Sequence, residues 1–152
     1  MRLCLYQPEI PQNTGTLLRL AACMGVGVDI VGPCGFVLSD RKLRRSGMDY
    51  LDQVDLKIHS SWEKFLEEKP IGRLISLVPK ASASYIAFNF VQNDILVLGR
   101  EGDGLPQEVL DQTNQQVRIP MQPGRRSLNV AIAGAMVLGE ALRQTHQFGV
   151  GI

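Results

Sequence analysis

Asp94-Ile-Leu-Val-Leu-Gly-Arg-Glu-Gly-Asp-Gly-Leu-Pro106 is a short apolar run opening into a glycine-rich loop. A near-continuous run such as Ile95 to Leu98 is the signature of a parallel strand buried on both faces. The three glycines that follow, Gly99, Gly102 and Gly104, let the backbone turn tightly or approach a ligand closely. On either side the same alternation recurs. Strands are expected over Arg2–Tyr6, Val26–Val31, Asp55–His59, Arg73–Val78, Asp94–Leu98 and Gln116–Ile119. Helices are expected over Asn13–Met24, Ser39–Arg45, Ser61–Glu68, Gln107–Gln112 and Ser127–His146, with another turn near Tyr50–Val54. Strands alternating with helices predict an α/β fold, a mainly parallel sheet with helices on both faces. Residues 80–93 stay open between a short helix and a strand, either lined by Tyr85, Phe88 and Phe90.

Length and composition agree with one domain over residues 1–152, 45% hydrophobic and 20% charged. With a formal net charge of +1, disorder is excluded. The apolar stretch Leu128–Gly139 falls short of the roughly 18–20 residues that span a bilayer. No secretory leader is recognised, so the expected compartment is the cytoplasm, with no membrane partner. Cys4, Cys23 and Cys34 lack metal or disulfide spacing and are expected to be buried free thiols. With only His59 and His146 beside them, no metal site is expected. Both histidines read as structural or exposed.

Eleven of the sixteen basic residues are arginine, whose planar fork suits phosphates. They cluster at Arg41-Lys42 with Arg44-Arg45, and at Arg125-Arg126. A solvated face and a phosphate-binding patch both account for these clusters.

In open α/β sheets, ligands bind beyond the carboxyl ends of the strands. Three loops leave such ends, after Val78, Leu98 and Ile119, and are expected to converge on one pocket. The glycine loop matches neither GxxxxGK[ST] nor GxGxxG before a long helix. A simple strand-to-helix turn and a cradle for a nucleoside both remain open. Glu101 within it either orients a substrate, pairs with an arginine or is solvated. Ser127 is the expected N-cap of the last helix. That helix looks apolar all round, so a polar Asn129 at its start needs a partner. Ala131, Ala135 and Gly139 share a face that meets either this chain or a second subunit. Arg19 stands apart from the apolar face of Leu17, Leu18, Leu20, Ala21 and Met24. Asn13 or Thr14 is the expected cap of that first helix.

Three motifs occur in order: Pro8-x-Ile-Pro-x-Asn13-x-Gly15 with Arg19; Gly99-x-Glu101-x-x-Gly104-Leu-Pro106; and Ile119-Pro-Met121 with Ser127-Leu-Asn129. With Lys42-Leu-Arg-Arg-x-Gly47-x-Asp-Tyr50, they cover essentially the whole chain. The chain resembles the SpoU-TrmD (SPOUT) superfamily of RNA methyltransferases, within it the minimal tRNA wobble-nucleotide ribose 2′-O-methyltransferases. The resemblance implies a C-terminal trefoil knot and a homodimer with a shared active site. It implies S-adenosylmethionine as cofactor, held by Leu77, Gly99, Gly104, Ile119, Met121, Ser127 and Leu128 and left as S-adenosylhomocysteine. The implied substrate is the 2′-hydroxyl of a tRNA wobble cytidine or uridine. Arg19, from the partner subunit, is implied at the target ribose, supported by Asn13, Glu101, Ser127 and Asn129. Arg44, Arg45, Arg125 and Arg126 are then candidate RNA contacts. The alternatives are ribose methylation at another tRNA or rRNA position, or a non-catalytic RNA-binding module of the same fold.

Overall fold

The computed structural model describes residues 1–38, 41, 45 and 48–149. Its strands are β1 (Arg2–Tyr6), β2 (Gly27–Val31), β3 (Leu56–His59), β4 (Leu74–Leu77), β5 (Ala83–Ser84), β6 (Ile95–Leu98) and β7 (Gln115–Arg118). The α-helices are α1 (Pro11–Met24), α2 (Trp62–Glu68), α3 (Gln107–Leu110) and α4 (Val130–Thr145). A 3-10 turn spans Met48–Gln53. The seven strands form one sheet in the order β3-β2-β1-β6-β4-β7-β5. Every pairing in it is parallel.

The apolar run over β6 is explained by its place between β1 and β4, with both faces covered. Its side chains alternate between two cores. Leu96 and Leu98 join Leu3, Leu5, Val28 and Ile30 against α1 and α4. Ile95 and Val97 join Cys4, Tyr6 and Val31 against Trp62 and Phe65 of α2 and Val109 of α3. Helices therefore cover both faces, as expected. Because the sheet is parallel throughout, the loops after β4, β6 and β7 leave one edge together.

Several boundaries differ from expectation. Helix α1 begins at Pro11 with Ile10 as N-cap, so neither Asn13 nor Thr14 caps it. Proline suits a first helical position, where its missing N–H is not needed. Asn129, not Ser127, caps α4; its side chain accepts from the Ala131 and Ile132 amides at 2.8 and 3.3 Å. Residues 80–93 contain the two-residue strand β5, paired with β7. Of the helix expected over 39–45, Arg41 and Arg45 are helical and the rest lies outside the described residues.

Helix α4 is not buried all round: Ile132 and Met136 are 54% and 39% exposed. The small-residue face is divided. Ala131 is buried within the chain, while a Cβ at Gly139 would meet nothing. Gly134 makes the close approach instead, since a Cβ there would lie 2.9 Å from both Leu17 Cδ2 and Leu98 Cδ1. The thiols are free, but only Cys4 is buried; Cys34 is half-buried and Cys23 exposed. His59 is buried between Asp29 (2.8 Å) and Glu68 (3.0 Å), with Arg2 on the other Asp29 oxygen at 2.6 Å. This cluster pairs buried polar groups and is structural.

Candidate active site

The three strand-end loops do converge. They enclose a cavity of about 590 Å³ lined by residues from 77–79, 98–104, 117–121 and 126–133, with Ile10 and Asn13 from the start of α1. Small-molecule pockets typically measure about 300–1,000 Å³. Leu77, Gly99, Gly104, Ile119, Met121, Ser127 and Leu128, singled out as cofactor contacts, all line it. So do Asn13, Glu101, Asn129 and Arg126.

The glycine loop is both a tight turn and a cavity wall. Arg100 and Gly104 exchange backbone hydrogen bonds of 3.1 and 3.0 Å. A Cβ at Gly99 would lie 2.5 Å from the Gly104 carbonyl carbon. Gly104 holds φ 68, the left-handed region that disfavours side chains. Without side chains at these two positions, the loop presents bare backbone to the cavity.

Among the described residues Glu101 pairs with no arginine; it is half-buried and held by the start of α1. Its carboxylate accepts from the Glu9 amide (2.8 Å), the Ile10 amide (3.2 Å) and Asn13 Nδ2 (3.3 Å). Both amides lie just before Pro11, so the carboxylate sits at the N-terminal end of α1, where a negative charge is favoured. Glu9 returns the contact, accepting from the Gly102 amide at 3.3 Å. Asn13 Oδ1 in turn accepts from Asn129 Nδ2 at 2.9 Å. Asn129 thus finds its partners in Asn13 and the α4 amides. One polar chain joins the β6 loop, the start of α1 and the start of α4 at the cavity rim.

The arginines divide. Arg19 projects from the exposed side of α1, with Cζ 4.9 Å from the centre of the Tyr50 ring, and does not line the cavity of its own chain. Arg45 and Arg125 are exposed, and Arg126 is exposed at the cavity wall. Arg44 lies outside the described residues. Sequence reasoning passed over Arg100, a half-buried wall residue whose guanidinium carbon stands 5.8 Å from the Tyr6 ring centre. Its place between Gly99 and Glu101 was the available signal. Burial pushes the Tyr6 phenol above its ordinary range, while the Arg100 charge acts the other way. Among the described residues no group of three or more His, Cys, Asp or Glu could hold a metal, and no helix is long and apolar enough to cross a membrane.

A parallel sheet with a backbone-lined cavity at its carboxyl edge and a polar chain at the rim agrees with comparison to known proteins. The chain belongs to the SpoU rRNA Methylase family, whose model matches residues 1–139. It is 54% identical over 144 residues to the tRNA (cytidine(34)-2′-O)-methyltransferase of Beijerinckia indica, covering 93% of this chain and 90% of the relative. The enzyme of the same name from Escherichia coli K12 is 39% identical, covering 95% and 93%. A solved structure concerned with 2-OH methylation of C/U34 on tRNA superposes with a TM-score of 0.89 at 43% identity, covering 94% of both chains. The SpoU methyltransferase AviRb of Streptomyces viridochromogenes, in complex with AdoMet, superposes at 0.87 with 25% identity, covering 95% of this chain and 60% of AviRb.

Proposed function

We propose that this protein transfers a methyl group from S-adenosylmethionine to the ribose 2′-hydroxyl of the cytidine or uridine at tRNA position 34. The observation that carries the reading is a cavity lined by all seven expected cofactor contacts. It is supported by relatives named for this reaction at 39–54% identity over most of the chain.

The residues present fit the cofactor. Leu77, Ile119, Met121 and Leu128 offer apolar walls, and Gly99 and Gly104 leave backbone to approach. S-adenosylmethionine supplies, when bound, a methyl group on a positively charged sulfur. The remaining chemistry falls to the protein. A ribose hydroxyl is a weak acid and must lose its proton at or near the transition state. A guanidinium is a poor base, because it stays protonated in proteins. Arg19 instead holds the neighbouring phosphate and stabilises developing negative charge on the oxygen. Ser127 and Asn129 align that oxygen, and Glu101 and Asn13 hold the loop and helix that carry them.

A shared site is supported by Arg19, which is exposed on α1 and does not line the cavity of its own chain; in this reading it serves a partner's cavity. The exposed apolar side chains Leu128, Ile132 and Met136 support a homodimer on the α4 face. Arg44, Arg45, Arg125 and Arg126 contact the tRNA backbone. One domain, cytoplasmic, carries the whole activity. The C-terminal knot belongs to the same reading. Within it, α4 follows β7 and packs on α1, and Gln144 bonds to the Phe88 carbonyl and Phe90 amide of the β5–β6 connection. Purified protein, labelled cofactor and tRNA lacking the modification test the proposal; ribose methylation at position 34 is expected.

A further inference from the structure

Arg100 has no role in the account so far, yet the fold places it with care. Its backbone is pinned to Gly104 in the loop that walls the cavity. Its Nε is buried and has no hydrogen-bond partner. One terminal nitrogen reaches Gln7 Oε1 at 3.4 Å, beyond the usual hydrogen-bond range. Gln7 itself sits at φ 43, a backbone conformation rare outside glycine and often found beside ligand sites. The Tyr6 ring lies near the outer limit of cation–π contact.

Three other half-buried arginines have good acceptors: Arg118 donates to the Ala81 and Ser82 carbonyls at 3.0 and 2.8 Å, and the other two hold acids. Arg2 holds Asp29 at 2.6 Å and Arg73 holds Asp94 at 2.8 Å, both aspartates fully buried. Among the described residues Arg100 forms no ion pair. The neighbouring acid, Glu101, is engaged by the amides that open α1. A guanidinium keeps its charge inside a protein, and a buried N–H such as its Nε costs free energy when it lacks an acceptor. An oxyanion from a bound ligand would complete the arrangement.

We propose that Arg100, in the wall of the cavity, binds an oxyanion of a bound ligand. The oxyanion is a phosphate of the RNA or the carboxylate of the methyl donor, two sources with one chemistry. The inference rests on the methyltransferase reading above.

The test compares wild type with Arg100→Gln and Arg100→Lys, each first checked for cooperative thermal unfolding. Three probes are titrated: S-adenosylhomocysteine, 5′-methylthioadenosine (which lacks the carboxylate) and tRNA lacking the position-34 modification. If the partner is a phosphate, Arg100→Gln weakens tRNA binding about tenfold and lowers the salt slope by about one, with both small ligands unchanged. If it is the carboxylate, S-adenosylhomocysteine weakens about tenfold while methylthioadenosine does not. Either result supports the assignment. Arg100→Lys keeps the charge without the fork, so a folded lysine variant gives an intermediate loss and decides the matter where glutamine fails to fold. Unchanged binding of all three probes to a folded variant overturns it, as does an equal loss for the two small ligands. Methyl transfer by wild type, run in parallel, tests the underlying function separately.

Discussion

Asn129 Nδ2 donates to Asn13 Oδ1 over 2.9 Å, and this bond links the first turn of α1 to the N-cap of α4 across 116 positions of sequence. The same Asn129 side chain uses its oxygen to cap α4. The two jobs can be separated. Asn129→Asp keeps the capping oxygen and loses the donor. Its thermal midpoint should stay near wild type while methyl transfer falls about tenfold or more, the consequence of lost positioning. Asn129→Ala loses the cap as well and should cost about 1 kcal/mol in denaturant unfolding. Equal activity in wild type and Asn129→Asp would contradict the link.

Glu101 gathers three donors on two carboxylate oxygens. Glu101→Gln leaves one acceptor oxygen and no charge. Hydrogen bonds to charged groups contribute about 1.5–3 kcal/mol, so S-adenosylhomocysteine binding by calorimetry should weaken about tenfold as the loop loosens. Unaltered affinity would show that the loop does not need this anchor.

At Gly99 the obstacle to a side chain is backbone rather than a movable group, with the Gly104 carbonyl carbon 2.5 Å from an added Cβ. Gly99→Ala should destabilise the protein by about 1–3 kcal/mol, the usual cost of overpacking. It should also abolish cofactor binding, because the turn that walls the cavity must open. A variant that melts and binds like wild type would refute this account of the loop.

The fold was legible where local pattern and tertiary environment agree. Ile95–Leu98 reads as a buried strand because nothing polar interrupts it. Strand β5 was not legible, since Ala83–Ser84 is ordered only by pairing with β7, some thirty residues later. Ser127 and Asn129 both have capping chemistry, and only the chain's path decides between them. Glu101 stood out, but its donors lie about ninety residues away, so no spacing rule identifies them. The Ala131, Ala135 and Gly139 face suggested an interface, yet the exposed apolar side chains are Ile132 and Met136.

That exposed pair gives a further prediction. The wild type should sediment as a dimer at micromolar concentration, and Ile132→Asp should sediment as a monomer without methyl transfer. An active Ile132→Asp monomer would contradict a shared site.

Arg19 is the proposed donor at the target ribose. Arg19→Ala should reduce turnover about a hundredfold or more, the scale of losing one transition-state donor, while S-adenosylhomocysteine affinity stays within about twofold. Full activity would remove Arg19 from the ribose.

The reaction and its position are read together in one experiment. Purified protein is incubated with methyl-labelled S-adenosylmethionine and tRNA isolated without the position-34 modification, and the ribose methyl sites are mapped. A single new 2′-O-methyl group on the nucleotide at position 34 is predicted. No ribose methylation, or a methyl group only at another position, would contradict it.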